Sequence, residues 1–131
     1  MKKQGGSPPS RPVIIVVDDD LAVRNSLKFS LEIEGFTVQG YATAGELLSA
    51  GDLTSCSCLV VDQKMPGLSG LDLIAKLRDR HIAAPAILIT SHPSQSLRLI
   101  AEKAQVPIVE KPLLGNALLD RIRKVVSGTI G

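Results

Sequence analysis

Tryptophan is absent from this sequence, and Phe29, Phe36 and Tyr41 are its only aromatic residues. Any core must therefore be aliphatic. Cysteine is nearly absent too: Cys56 and Cys58 lie two apart, with one residue between them. A disulfide across one residue would be strained, and no histidine or cysteine cluster lies near enough in sequence to complete a zinc site. They read as two thiols in or beside a buried strand of a cytoplasmic protein. Charge of one sign is also lacking. Fifteen basic and thirteen acidic residues leave a formal net charge of +2, too little to imply nucleic-acid binding by electrostatics alone. No apolar run approaches the roughly 18–20 residues of a membrane span. Lys2 and Lys3 precede no apolar stretch of signal-peptide length, so no secretory signal is read.

The chain has 131 residues, which at roughly 100–200 per domain allows one domain. The N-terminal segment 1–11 is polar and rich in glycine and proline, and is expected to be a disordered tail. Four short apolar runs follow: Val13–Val17, Cys58–Val61, Ala86–Ile89 and Val106–Val109. They are rich in β-branched residues and do not alternate, which suits strands buried on both faces of a parallel sheet. A further strand does alternate, through Phe36 and Val38 to Gly40, and reads as half exposed at a sheet edge. Helical periods lie between and after the strands. Val23, Leu27 and Leu31 repeat at four, with Gly35 as the terminating glycine. A weaker helix spans 44–50. Leu71, Ile74 and Leu77 repeat at three. Leu97, Ile100, Ala101 and Ala104 form one stripe, and Leu114, Ala117, Leu118, Ile122 and Val125 another. Strand and helix thus alternate five times, which predicts an α/β fold with right-handed crossovers and helices on both faces.

Such sheets place their sites at the carboxyl ends of the strands. The first strand ends in Asp18-Asp19-Asp20, the third in Asp62, the fourth in Thr90-Ser91 and the fifth in Glu110-Lys111-Pro112. Singly, each has an ordinary explanation: Asp20 as the N-cap of the next helix, Lys-Pro as a turn, Thr90 as a strand residue. Together they describe chemistry. Crowded carboxylates need a cation, and hard oxygen ligands favour Mg²⁺ or Mn²⁺ over zinc. A lysine ammonium and a threonine hydroxyl would complete the neutralisation of an incoming phosphoryl group.

These residues resemble the receiver domain of two-component response regulators. The likeness rests on Val16–Asp20, Leu59–Gly67, Ser69-Gly70, Ile89–Ser91 and Glu110–Pro112, and covers about residues 12–126. Within the family the sequence is most similar to FixJ-type receivers, through Val23–Leu27 and Pro107–Pro112. The resemblance implies a flavodoxin-like, doubly wound (βα)5 fold with a parallel five-stranded sheet in the order 2-1-3-4-5. It implies that Asp62 is the nucleophile phosphorylated by a histidine kinase or histidine phosphotransfer protein. It implies Mg²⁺ (or Mn²⁺) held by Asp18, Asp19, Asp62 and the backbone carbonyl of Lys64. Lys111 would contact the phosphoryl group, Thr90 would be the switch hydroxyl, and Pro112 would follow a cis peptide bond. The implied protein is a cytoplasmic phosphoacceptor, not an enzyme turning over a free substrate, and it meets a downstream protein through its fourth helix, fifth strand and fifth helix. Neither nucleic acid nor a membrane is an expected direct partner, and homodimerisation is left open.

Three features depart from the family pattern. The switch position usually held by an aromatic, three before the lysine, is Ile108, so Thr90 is retained as a switch residue without an aromatic partner. Lys64 and His92, each two residues beyond a key side chain, occupy positions that tune phosphoryl lifetime in the family; His92 itself reads more readily as an exposed loop histidine. The fourth helix carries Arg98 and Lys103 against Glu102, and Leu113 and Leu114 read either as a contact patch or as helix-start core. With only 127–131 after the last helix, the expectation is a complete stand-alone regulator. The alternatives are a receiver half whose DNA-binding domain has been removed, and a receiver-fold scaffold working without phosphorylation. A phosphohydrolase of the haloacid-dehalogenase kind is disfavoured because Lys64 stands where a second acid is needed after Asp62. A flavin site is disfavoured because no glycine-rich phosphate loop follows the first strand.

Overall fold

A computed structural model describes residues 11–51 and 53–127. The expected tails, 1–11 and 127–131, lie outside the described residues apart from Arg11 and Ser127. Five strands and five helices alternate: β1 (Val13–Val17), α1 (Leu21–Ile33), β2 (Thr37–Tyr41), α2 (Ala44–Leu48), β3 (Cys56–Asp62), α3 (Gly70–Asp79), β4 (Ala86–Thr90), α4 (Gln95–Lys103), β5 (Ile108–Glu110) and α5 (Ala117–Ser127). All strand pairs are parallel, and the sheet order is β2-β1-β3-β4-β5. The expected flavodoxin-like topology is the observed one.

The two-residue period of a strand separates the core into two layers. Ile15, Val17, Leu59, Val61 and Leu88 face α2 and α3 residues such as Leu47, Leu73 and Leu77. Ile14, Val16, Val60, Ile87 and Ile89 face Leu27 and Leu31 of α1 and Leu118 and Ile122 of α5. The central strands β1, β3 and β4 are thus apolar on both faces, as their continuous runs predicted. The outer strand β5 is not: its three residues are only half-buried or exposed, as it is the last strand at one edge of the sheet.

Polar side chains start the helices. Asp20, Thr43, Ser69 and Ser94 accept from backbone N–H groups in the first turns of α1, α2, α3 and α4. Three helices end alike. The residue after the cap adopts a left-handed backbone at Gly35 (φ 100°), His81 (φ 64°) and Gln105 (φ 60°). The next amide then reaches back to a carbonyl of the last turn: Phe36 to Leu31, Ile82 to Leu77, Val106 to Ala101. Glycine marked only the first of these in the sequence.

Several expected core positions are corrected. Ile100 is exposed, because the inward side of α4 is narrow and filled by Ala101. Leu114 is also exposed and precedes α5 instead of joining its stripe, while Leu113 packs on the core. Ala117 opens α5 but is exposed. The second helix ends at Leu48, two residues early, where Ser49 caps it.

Candidate phosphoacceptor site

At the end of β1 the chain leaves the sheet as Asp18-Asp19-Asp20. Asp18 is fully buried. Its N–H donates to the Tyr41 carbonyl at 3.1 Å, and its Oδ1 accepts the Asp20 N–H at 2.9 Å. Asp20 turns away to cap α1, accepting from Ala22 and Val23, as its position before the apolar stripe suggested. Asp19 is exposed and directed at the same corner.

The end of β3 supplies Asp62, which is 4% exposed. Pairing with β4 sets Asp62 beside Ile89, and pairing of β4 with β5 sets Thr90 beside Glu110. Lys111 follows directly, its N–H bonded to the Thr90 carbonyl at 2.8 Å. The Lys111 ammonium therefore reaches across the strand ends to lie 3.1 Å from Asp18 Oδ2 and 3.4 Å from Asp62 Oδ1. The Lys111–Pro112 bond is cis, as the resemblance implied.

Burial pushes the Asp62 carboxyl up from its ordinary value, and the nearby Asp18 charge pushes it further; Lys111 opposes both. Burial alone would lower the Lys111 ammonium, but its close charge contacts with the Asp18 and Asp62 carboxylates carry it above its ordinary value. One cation thus lies between two desolvated anions, and the negative charge is not balanced within the group.

Asp18, Asp19 and Asp62 each offer an oxygen within 4.8 Å of the others. Asp18 Oδ2 is buried and has no hydrogen bond of acceptable geometry, the Lys111 contact being an ion pair. A buried carboxylate oxygen that meets one ammonium in an excess of negative charge fits a hard divalent cation. Lys64 lies exposed just beyond, its N–H 3.4 Å from Asp62 Oδ1.

Thr90 is buried, and its hydroxyl donates only a long 3.4 Å bond to the Ser91 carbonyl. Thr90 and His92 line a cavity of about 510 Å³ with Gln63, Lys64, Leu97 and Ile100. His92 is exposed, with a left-handed backbone at φ 48°. Ile108 lies apart on β5, half-buried against the α2–α3 side of the core. Arg98 of α4 pairs with Glu110 of β5 at 2.5 Å.

A family model for the response regulator receiver domain matches residues 14–123. The chain belongs to that family. This receiver is 38% identical over 117 residues to the transcriptional regulatory protein FixJ of Azorhizobium caulinodans, covering 88% of this chain and 55% of that protein. It is 34% identical over 122 residues to nodulation protein W of Bradyrhizobium diazoefficiens, covering 91% and 54%. The chain thus spans about half the length of these curated relatives. Among solved structures it is similar to a CheY-like receiver domain protein from Methanospirillum hungatei JF-1, with TM-score 0.84, 29% identity and coverage of 92% and 98%. It is similar also to the FixJ-N crystal structure, with TM-score 0.79, 32% identity and coverage of 90% and 95%. The FixJ-type likeness read from the residues is borne out. Among the described residues no helix is long and apolar enough to cross a membrane.

Two contributors to the receiver's site escaped the sequence reading. Gln63 Oε1 accepts the Leu71 N–H at 3.0 Å and ties the residue after Asp62 to the start of α3. Arg24 donates to the Asp18 carbonyl at 2.7 Å. A polar residue next to Asp62 and a basic one on α1 carry no local pattern that announces either bond.

Proposed function

We propose that this receiver accepts a phosphoryl group on Asp62 in a Mg²⁺-dependent transfer from a phosphohistidine on a histidine kinase or histidine phosphotransfer protein. The observation that carries the reading is the buried Asp18–Asp62 pair under a single lysine, with Asp18 Oδ2 lacking a hydrogen bond. In the transfer, an Asp62 carboxylate oxygen attacks phosphorus as the phosphorus–nitrogen bond breaks, and the electron pair leaves on the imidazole nitrogen. Asp18, Asp19, Asp62 and the Lys64 carbonyl would hold the metal. A bound Mg²⁺ supplies charge neutralisation on the oxygens of donor and acceptor. Lys111 contributes a fixed positive charge beside Asp18 and Asp62, positioned by its backbone bond to Thr90.

Switching follows from the same geometry. The added dianion offers the Thr90 hydroxyl a charged acceptor in place of the long Ser91 bond, so the exchange is favourable and draws the loop after β4 inward. Ile108 is aliphatic and packed, so the switch runs through Thr90 without an aromatic rotor. Exposed Lys64 and His92 flank the approach to Asp62 and set how long the phosphoryl group survives attack by water. The readout surface is the face of α4, β5 and α5, where Leu99 and Ile100 are exposed beside the Arg98–Glu110 pair. The working unit is residues 12–126, acting in the cytoplasm as a signalling module.

The test is intact-mass measurement after incubation with a small phosphodonor. One phosphoryl adduct is expected with Mg²⁺ and none with a chelator or in Asp62→Asn. Absence of an adduct on the parent protein under all conditions, with partner binding indifferent to the donor, would replace this reading with the scaffold one.

A further inference from the structure

We infer that Arg24 is the positioning residue of the cation site, acting through the peptide that joins Asp18 to Asp19. The inference rests on the proposed Mg²⁺ site and adds a residue to it. Asp18 is the last residue before the chain leaves the sheet. Its N–H is held by β2 through Tyr41, but its carbonyl is bonded instead by the Arg24 guanidinium from one turn into α1, at 2.7 Å. A charged donor makes this among the stronger bonds at the strand end.

The carbonyl held in this way belongs to the Asp18–Asp19 peptide. Its orientation decides where Asp19 leaves the chain and how Asp18 presents its side chain. With Oδ1 bonded to the Asp20 N–H and the carbonyl bonded to Arg24, Oδ2 is the Asp18 oxygen that faces Lys111 and the other acids. Space for the Arg24 stem is provided by Gly40 of the neighbouring edge strand: a Cβ there would already lie 3.6 Å from Arg24 Cδ. Anything larger than alanine at position 40 would press on the stem.

Charge and positioning give opposite signs. If Arg24 acted only as a nearby cation, removing it would tighten divalent-cation binding by Coulomb's law. If it positions the two acids, removal weakens binding, by about tenfold on the general scale for groups that orient metal ligands. Mn²⁺ binding, followed by water-proton relaxation on the whole chain, reads the sign. Arg24→Met is expected to bind about tenfold more weakly. Arg24→Lys, which keeps the charge but not the planar donor fork, should also bind more weakly than the parent, by a smaller factor. Gly40→Leu keeps Arg24 itself, and is expected to weaken Mn²⁺ too; it serves if Arg24→Met does not fold. Equal or tighter binding in the folded Arg24 variants would overturn the inference alone. A parent protein that takes up no Mn²⁺ would overturn the cation-site reading and this inference with it.

Discussion

Replacing Gly70 by alanine tests the packing that places the proposed phosphoacceptor. Gly70 opens α3, and its N–H bonds to the Gln63 carbonyl at 3.1 Å. A Cβ added there would lie 2.6 Å from the Asp62 carbonyl oxygen, 2.7 Å from Leu88 Cδ1 and 3.0 Å from Gln63 Cα. Ordinary contact between carbon atoms is about 3.5–4.0 Å, so α3 and the end of β3 must separate by several tenths of an ångström or more. Leu88 is fully buried and has little room to turn away. Overpacking of this kind costs about 1–3 kcal/mol. Alanine returns less than about 1 kcal/mol of helix preference, since position 70 is the first of the helix and not its interior. A net loss of about 1–2 kcal/mol is expected, roughly 3–12 °C in melting temperature for a domain of this size. Urea unfolding should show a lower midpoint at unchanged slope. Gly45→Ala in α2 is the control, because its nearest neighbour would be Thr43 Oγ1 at 3.8 Å, and it should be neutral or stabilising. Gly70→Ala with undiminished stability would refute the packing argument.

Asp62→Asn should melt higher than the parent near pH 7. Burial and Asp18 raise the folded pKa of Asp62, so its ionised form costs stability that is absent below the ordinary carboxylate range and appears as pH rises through the raised value. The gain should therefore vanish on acidification, and a variant melting lower than the parent near pH 7 would contradict this. Mg²⁺ at about 100 times its dissociation constant should stabilise the parent by about 2.7 kcal/mol, seen as a higher melting temperature, and Asp18→Asn should lose most of that shift. Gln105→Gly, at a left-handed position ending α4, should raise stability by about 0.5–1 kcal/mol in urea unfolding; a loss would mean the Gln105 side chain contributes more than its backbone strain costs.

Much of the fold was legible because burial on both faces leaves an unbroken aliphatic run, and β1, β3 and β4 each carried one. The acids, threonine and lysine were legible as a site because each lies immediately after such a run. What was not legible involved partners remote in sequence or signals without a special residue. Nothing in the order of residues distinguished His81 or Gln105 as helix-ending positions, since a left-handed backbone without glycine leaves no mark. Ile100 fitted the apolar period of α4 as well as Ala101 did; only the distance between helix and sheet decided which faced inward. Arg98 had Glu102 one turn away, yet met Glu110 instead, because the fold brings the end of β5 within reach of α4.

The scarcity of aromatics fits the structure that formed. Two thin aliphatic layers pack close on either side of the sheet, and Phe29 is left exposed on α1. The sequence by itself determined the alternation of strands and helices, the caps that begin four of those helices, and which residues stand at the strand ends. Tertiary structure alone decided that Lys111 would lie 3.1 Å from Asp18 and 3.4 Å from Asp62. Those distances arise from the crossing of β1, β3 and β5 into one parallel sheet. Parallel pairing aligns carboxyl ends on one edge, and side chains dozens of residues apart then share a desolvated corner where their charges act strongly on one another.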